Sequence, residues 1–166
     1  MALFISYRRD DAAGYARAVH DALVQRFGAG QVFMDVVDIG GGQRFDAVIR
    51  RSLAASQVLL VLIGPRWQGG GEPPRLHDPA DFVHQEIAAA LAQRLMVMPL
   101  LLDGTPMPAE ATLPPPLQAL ARCNALALDN SRFNADIERL AATLAPLLRA
   151  QPRRGWLLGG GATLLL

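Results

Sequence analysis

The chain holds four glutamates: Glu72, Glu86, Glu110 and Glu138. Glu86 lies inside "DPADFVHQEIAAAL" (78–91), a run that otherwise reads as a helix packed on a core. Asp78 followed by Pro79 suits a helix start, with Asp as N-cap and Pro at the first helical position. At about 100° per residue, Val83, Ile87, Ala90 and Leu91 share one stripe, and Glu86 falls about 60° from Val83 at the edge of that stripe. Phe82 lies one turn earlier on the same edge, while His84 and Gln85 fall on the open polar face. A carboxylate at a core boundary beside an aromatic is a candidate for cleft chemistry. It can equally be a surface carboxylate paired with Arg94 or another arginine. Spacing alone leaves both readings open.

Two further segments could bind a ligand. "SYRRDD" (6–11) follows the first apolar run, and it brings Arg8 and Arg9 to a loop that must turn into a helix. Forked cations beside a helix N-terminus suit a phosphate. The alternative is a solvated loop with Asp10 or Asp11 capping the helix. "DVVDIGGGQRF" (35–45) carries Gly40, Gly41 and Gly42 in a row. No GK[ST] follows, and the pattern is not GxGxxG, so it reads as a flexible connector that moves on binding or meets a neighbouring subunit. His20, His77 and His84 lack metal-ligand spacing and read as surface residues. There is no GxSxG or HExxH, and no base is evident for Ser6, Ser52, Ser56 or Ser131, so serine hydrolysis and zinc proteolysis are not expected.

Elements that could position these groups are legible as apolar runs: Leu3–Tyr7, Gln31–Val36, Gln57–Gly64, Leu95–Leu102 and, more weakly, Asn124–Leu128. Continuous runs of this length suit strands buried on both faces, as in parallel sheets. Helical spacing follows four of them. It is carried by Tyr15, Val19, Ala22, Leu23 and Phe27; by Phe45, Val48, Ile49 and Leu53; by Phe82, Val83, Ile87 and Leu91; and by Phe133, Ile137, Leu140, Leu144 and Leu147. The connection from Asp103 to Pro116 is Pro-rich and reads as a loop with at most a short helix. The alternation predicts a doubly wound α/β layer. In such sheets ligands bind beyond the C-terminal ends of the strands, where all three segments fall.

The length is that of one domain with a real core. The chain is 51% hydrophobic and 19% charged, as expected of a folded domain, and its net charge of +1 lacks the basic excess of a nucleic-acid binder. All sixteen basic residues are arginine. Cys123 is alone, so neither an intrachain disulfide nor a Cys-rich metal site is expected, and a reducing compartment fits. "MALFISYRRDD" becomes charged at residue 8, before a signal-peptide core could form. There is no internal repeat. Residues 1–150 read as the domain and 151–166 as a basic linker and apolar tail. "WLLGGGATLLL" (156–166) would rise only ~16 Å as a helix against a ~30 Å hydrocarbon core. It reads as the start of a transmembrane helix or as a packed tail, so the expected location is cytoplasmic, with or without a C-terminal membrane anchor.

Taken together, the chain resembles a TIR (Toll/interleukin-1 receptor) domain of the bacterial NAD+-cleaving type, similar to that of the animal axon-degeneration NADase. "FISYRRDD" resembles the first box of the family. "VFMDVVDIGGGQRF" resembles its second strand and the following BB loop, and "DFVHQEIAAAL" resembles the helix with the catalytic glutamate. The resemblance covers about Leu3 to Leu148. It implies a flavodoxin-like three-layer fold, with a central five-stranded parallel sheet flanked by helices. Two departures stand out. Phe82 replaces a Trp often found four residues before the glutamate, and Gly64–Pro65 replaces a Ser-Pro after the third strand.

The resemblance implies an NAD+ glycohydrolase or cyclase, activated by self-association in bacterial defence or signalling. Glu86 would be catalytic, and Tyr7, Arg8, Arg9, Asp35, Asp38 and Phe82 would bind substrate. Ile39, Gly40, Gly41 and Gly42 would form the moving loop used in assembly. NAD+ enters as substrate, with no cofactor or metal implied. Expected partners are further copies through TIR–TIR contacts and a sensor or membrane module beyond the C-terminus, with no nucleic acid. Three alternatives stand beside this reading. One is a non-enzymatic TIR scaffold. The others are a receiver-type module, disfavoured by the absence of Lys, and a nucleoside deoxyribosyltransferase-like enzyme.

Overall fold

Every second residue of a strand points to the same face of its sheet, so a strand apolar at every position needs cover on both sides. That is how the five apolar runs are used. A computed structural model describes residues 2–34 and 45–149. Among these are β1 (Leu3–Ser6), β2 (Val32–Met34), β3 (Val58–Ile63), β4 (Met96–Leu102) and β5 (Leu126–Leu128). They form one parallel sheet in the order β2-β1-β3-β4-β5. The expected five-stranded flavodoxin-like layer is therefore present. Val58, Leu60 and Leu62 of β3 join Leu3 and Ile5 of β1 under α1 (Arg9–Phe27) and α4 (Phe133–Arg149). Leu59, Val61 and Ile63 join Phe4 under α2 (Phe45–Ala54) and α3 (Phe82–Ala92).

The Pro-rich connection after β4 contains two 3-10 helices, Glu110–Thr112 and Pro115–Arg122. Three successive prolines (114–116) remove backbone donors where the second of these begins. Leu113, Leu117 and Leu120 are nonetheless buried on the α3 side, so this segment covers the sheet where an α-helix would usually lie.

The first helix needs no side-chain cap. Arg8 stands at its N-cap without a capping side chain. Neither Asp10 nor Asp11 takes that role. Asp11 instead reaches the end of β3, accepting from the amides of Gly64 (2.9 Å) and Arg66 (2.8 Å). This explains the departure at Gly64–Pro65. A Cβ on Gly64 would stand 2.7 Å from both Asp11 carboxylate oxygens, so the carboxylate occupies the space of a side chain at 64. Gly64→Ala is expected to destabilise the domain by about 1–3 kcal/mol through overpacking. In an Asp11→Ser background the penalty should shrink, and chemical denaturation of the four-member cycle measures that coupling.

Among the described residues, no helix is long and apolar enough to cross a membrane. The tail 156–166, the end of the second expected strand and the glycine loop lie outside the described residues.

Candidate functional site

The strand order reverses between β1 and β3, and the crevice above such a switch point is where open parallel sheets bind ligands. The loop after β1 and the start of α3 flank it and enclose a cleft of about 480 Å³. Tyr7, Arg8 and Arg9 line one side, and Phe82, Val83 and Glu86 the other. Five of these six, all but Val83, are the residues expected in one site, and the fold brings them together. Asp35, Asp38, Ile39, Gly40, Gly41 and Gly42 lie outside the described residues.

The start of α3 differs from expectation. Asp78 does not cap the helix; it makes a local turn, accepting from the Ala80 amide (2.8 Å). Asp81 is the N-cap, and its carboxylate accepts from the His84 amide (3.2 Å). Asp81 wins because it also has a distant partner. Arg8 donates from Nη1 and Nη2 to the two Asp81 oxygens at 3.0 and 2.9 Å, and from Nε to the Trp67 carbonyl at 2.6 Å. Both side chains of this fork are 3% exposed. Burial by itself would raise the Asp81 carboxyl. The Arg8 bonds, the His84 amide and the nearby Arg75 together hold it below the ordinary carboxylate range. Gly69, at φ 79°, makes room for the fork: a Cβ there would come within 3.3 Å of the Arg8 guanidinium carbon.

Arg8 was expected to meet a phosphate. It lines the cleft, and its Nε, Nη1 and Nη2 donate to Trp67 and Asp81, so it also acts as a clamp. It ties the loop after β1 to the N-terminus of α3. That places Glu86, on the second turn of α3, against the same cleft. Glu86 is 3% exposed, more deeply set than a stripe-edge position suggests, which excludes the surface-carboxylate reading. Phe82, four residues earlier and so on the same helix face, is 49% exposed at the cleft. His84 was expected on the open face. It is buried, its ring Nδ1 donating to the Leu76 carbonyl at 2.7 Å, because the 3-10 turn Arg75–His77 folds over that face.

Asp10, Arg75, Asp81 and Val83 also line the cleft and were not among the expected site residues. Asp81 was passed over because Asp78–Pro79 is the better local start signal. Arg75 carries no local signal at all.

A larger cleft of about 1010 Å³ opens over the ends of β3 and β4. Its carboxylates, Asp11 and Asp103, already accept from the backbone amides of Gly64, Arg66 and Asn130. Burial and the neighbouring Asp103 raise the Tyr15 phenol well above its ordinary range, so it stays neutral. The groups suited to chemistry therefore concentrate in the smaller cleft. Among the described residues, no group of three or more His, Cys, Asp or Glu is placed to hold a metal ion.

A family model described as "TIR domain" matches residues 3–141. The fold is similar to the TIR domains in the structure of the activated Roq1 resistosome directly recognizing the pathogen effector XopQ. The identity is 14% and the TM-score 0.50, over 96% of this chain and 91% of that one. It is also similar to a metazoan TIR-STING receptor from C. gigas, at 20% identity and TM-score 0.51. That match covers 84% of this chain and 40% of the receptor, so the chain spans less than half of that protein.

Proposed function

The chain belongs to the TIR-domain family, and from that premise we propose that its β1–α3 cleft cleaves the nicotinamide–ribose bond of NAD+, with Glu86 as the catalytic group. The observation that carries this reading is a nearly buried carboxylate on the wall of a cleft at the switch point, beside an exposed aromatic ring.

The chemistry asks little of the protein. Nicotinamide leaves as a neutral molecule when the C1′–N bond breaks with its electron pair, so no general acid is needed. Positive charge develops on the ribose, and a single carboxylate in a water-poor wall can stabilise it while hydrogen-bonding the ribose hydroxyls. Phe82 offers an aromatic face to the nicotinamide or ribose. Attack by water forms a C1′–O bond, releases a proton and yields ADP-ribose. Attack by an internal ribose hydroxyl or an adenine nitrogen yields a cyclic ADP-ribose isomer.

Self-association is part of the proposal. The Roq1 TIR domains belong to an activated resistosome, and for this chain TIR–TIR contact is taken as the switch that raises activity. The test is nicotinamide release from NAD+ as a function of protein concentration. Turnover per chain that rises when the domain is concentrated or clustered supports the reading. Clustered, folded protein that releases none rejects it and favours the non-enzymatic scaffold.

A further inference from the structure

Resting on the NAD+ reading above, we infer that Arg75, together with Arg9, forms a diphosphate-binding rim on this cleft, and that Arg8 is withdrawn from ligand binding. The geometry separates the three cations. Arg8 is 3% exposed, and its Nε, Nη1 and Nη2 all have protein acceptors. The Arg75 side chain also lines the cleft but is 59% exposed. Its nearest carboxylate oxygen, on Asp81 at 3.5 Å, already accepts from Arg8 at 3.0 Å. The Arg75 guanidinium therefore keeps donor capacity for a ligand. Arg9 is exposed at the first position of α1 and makes no salt bridge among the described residues.

The stem of Arg75 starts from a fixed point. Gly69 lies so close that a Cβ there would come within 2.8 Å of the Arg75 Cβ, and the Leu76 amide bonds the Gln68 carbonyl at 2.9 Å. The cleft is thus polarised, with the Glu86 carboxylate in its buried wall and two arginines at its exposed rim. A ligand with a cationic head and a diphosphate tail matches that order of charges. Asp10 shares the rim, so recognition depends on the forked geometry of Arg75 more than on an excess of charge.

ADP-ribose keeps the diphosphate and lacks the nicotinamide, so it reads the rim independently of turnover. Its affinity is measured by calorimetry for wild type, Arg75→Gln, Arg75→Lys, Arg9→Gln and, as an exposed control elsewhere on α1, Arg17→Gln. Arg75→Gln is expected to weaken binding about tenfold or more, as loss of a charge-assisted contact should. Arg9→Gln should also weaken it, Arg75→Lys should restore part of it, and Arg17→Gln should match wild type. In turnover, Arg75→Gln should raise KM for NAD+ with kcat nearly unchanged, and should leave cleavage of nicotinamide riboside, which lacks the diphosphate, as in wild type. If ADP-ribose follows the Arg75 series while NAD+ is never cleaved, the rim stands and the proposed activity falls. If NAD+ is cleaved while Arg75→Gln binds ADP-ribose as wild type does, the rim is overturned and the activity stands. Absence of ADP-ribose binding by the wild type also overturns the rim.

Discussion

Replacing Glu86 by Gln is expected to lower NAD+ cleavage by a factor on the order of 10²–10³ or more, as removal of a single transition-state-stabilising group does in other enzymes. The amide keeps the size and much of the hydrogen bonding of the carboxylate but not its charge. The loss should therefore fall on kcat more than on KM, because a cationic ribose exists only in the transition state. Glu86→Asp keeps the charge but withdraws it by one methylene, so it should retain a measurable fraction of activity. Stability separates this role from a packing role. Glu86 is 3% exposed on an otherwise apolar helix face, and the isosteric amide should leave the unfolding midpoint close to that of wild type. A Glu86→Gln protein with normal stability and normal turnover would remove Glu86 from the mechanism.

The second large effect concerns the Arg8–Asp81 fork. Breaking a buried ion pair from one side leaves the other charge stranded, at a cost of about 3–5 kcal/mol. The two sides are not equivalent. Arg8→Ala leaves Asp81 with the His84 amide and with Arg75 at 3.5 Å. Asp81→Ala leaves a buried guanidinium with, among the described residues, only the Trp67 carbonyl, and it also removes the α3 N-cap, worth about 1 kcal/mol by itself. Asp81→Ala is therefore expected to be the more damaging. Replacing both by apolar residues (Arg8→Met with Asp81→Leu) should recover much of the stability, as at other buried pairs. Turnover should stay low in the double variant if the fork is what holds the loop after β1 against α3.

The same pair sets an acid limit. The Asp81 carboxyl is held below its ordinary value of 3.8, so its contribution is complete above that value and is lost as pH falls through the depressed one. Denaturation between neutral pH and pH 2 should therefore show an acid loss below pH 3.8 that is smaller in the double variant. Equal acid sensitivity in the two proteins would assign that loss to other carboxylates.

The sheet was legible because its information is local. Runs such as "QVLLVLIG" can be apolar at every position only where both faces are covered, and β3 is buried along its whole length. Register, the 3-10 cover after β4 and the start of α3 were less legible, for a shared reason. Asp78–Pro79 is the stronger start by local rules, yet Asp81 becomes the cap through an arginine 73 residues away. The two adjacent arginines in "SYRR" cannot be told apart in sequence. In the fold one is sealed in a fork and the other faces solvent. His84 looked exposed on a helical wheel because the wheel omits the 3-10 turn that covers it. The helical period places Glu86 only at the edge of a stripe, and its expected role comes from the family resemblance. What the structure adds is the cleft on which it lies and Arg75, whose position depends on a turn closed by Gly69.

The most direct measurement is product analysis by mass spectrometry after NAD+ is incubated with concentrated wild-type protein and with Glu86→Ala, each first verified as folded. The account predicts nicotinamide together with ADP-ribose or a cyclic isomer from the wild type, and intact NAD+ from the variant. Equal product from both proteins, or none from clustered wild type, would contradict it.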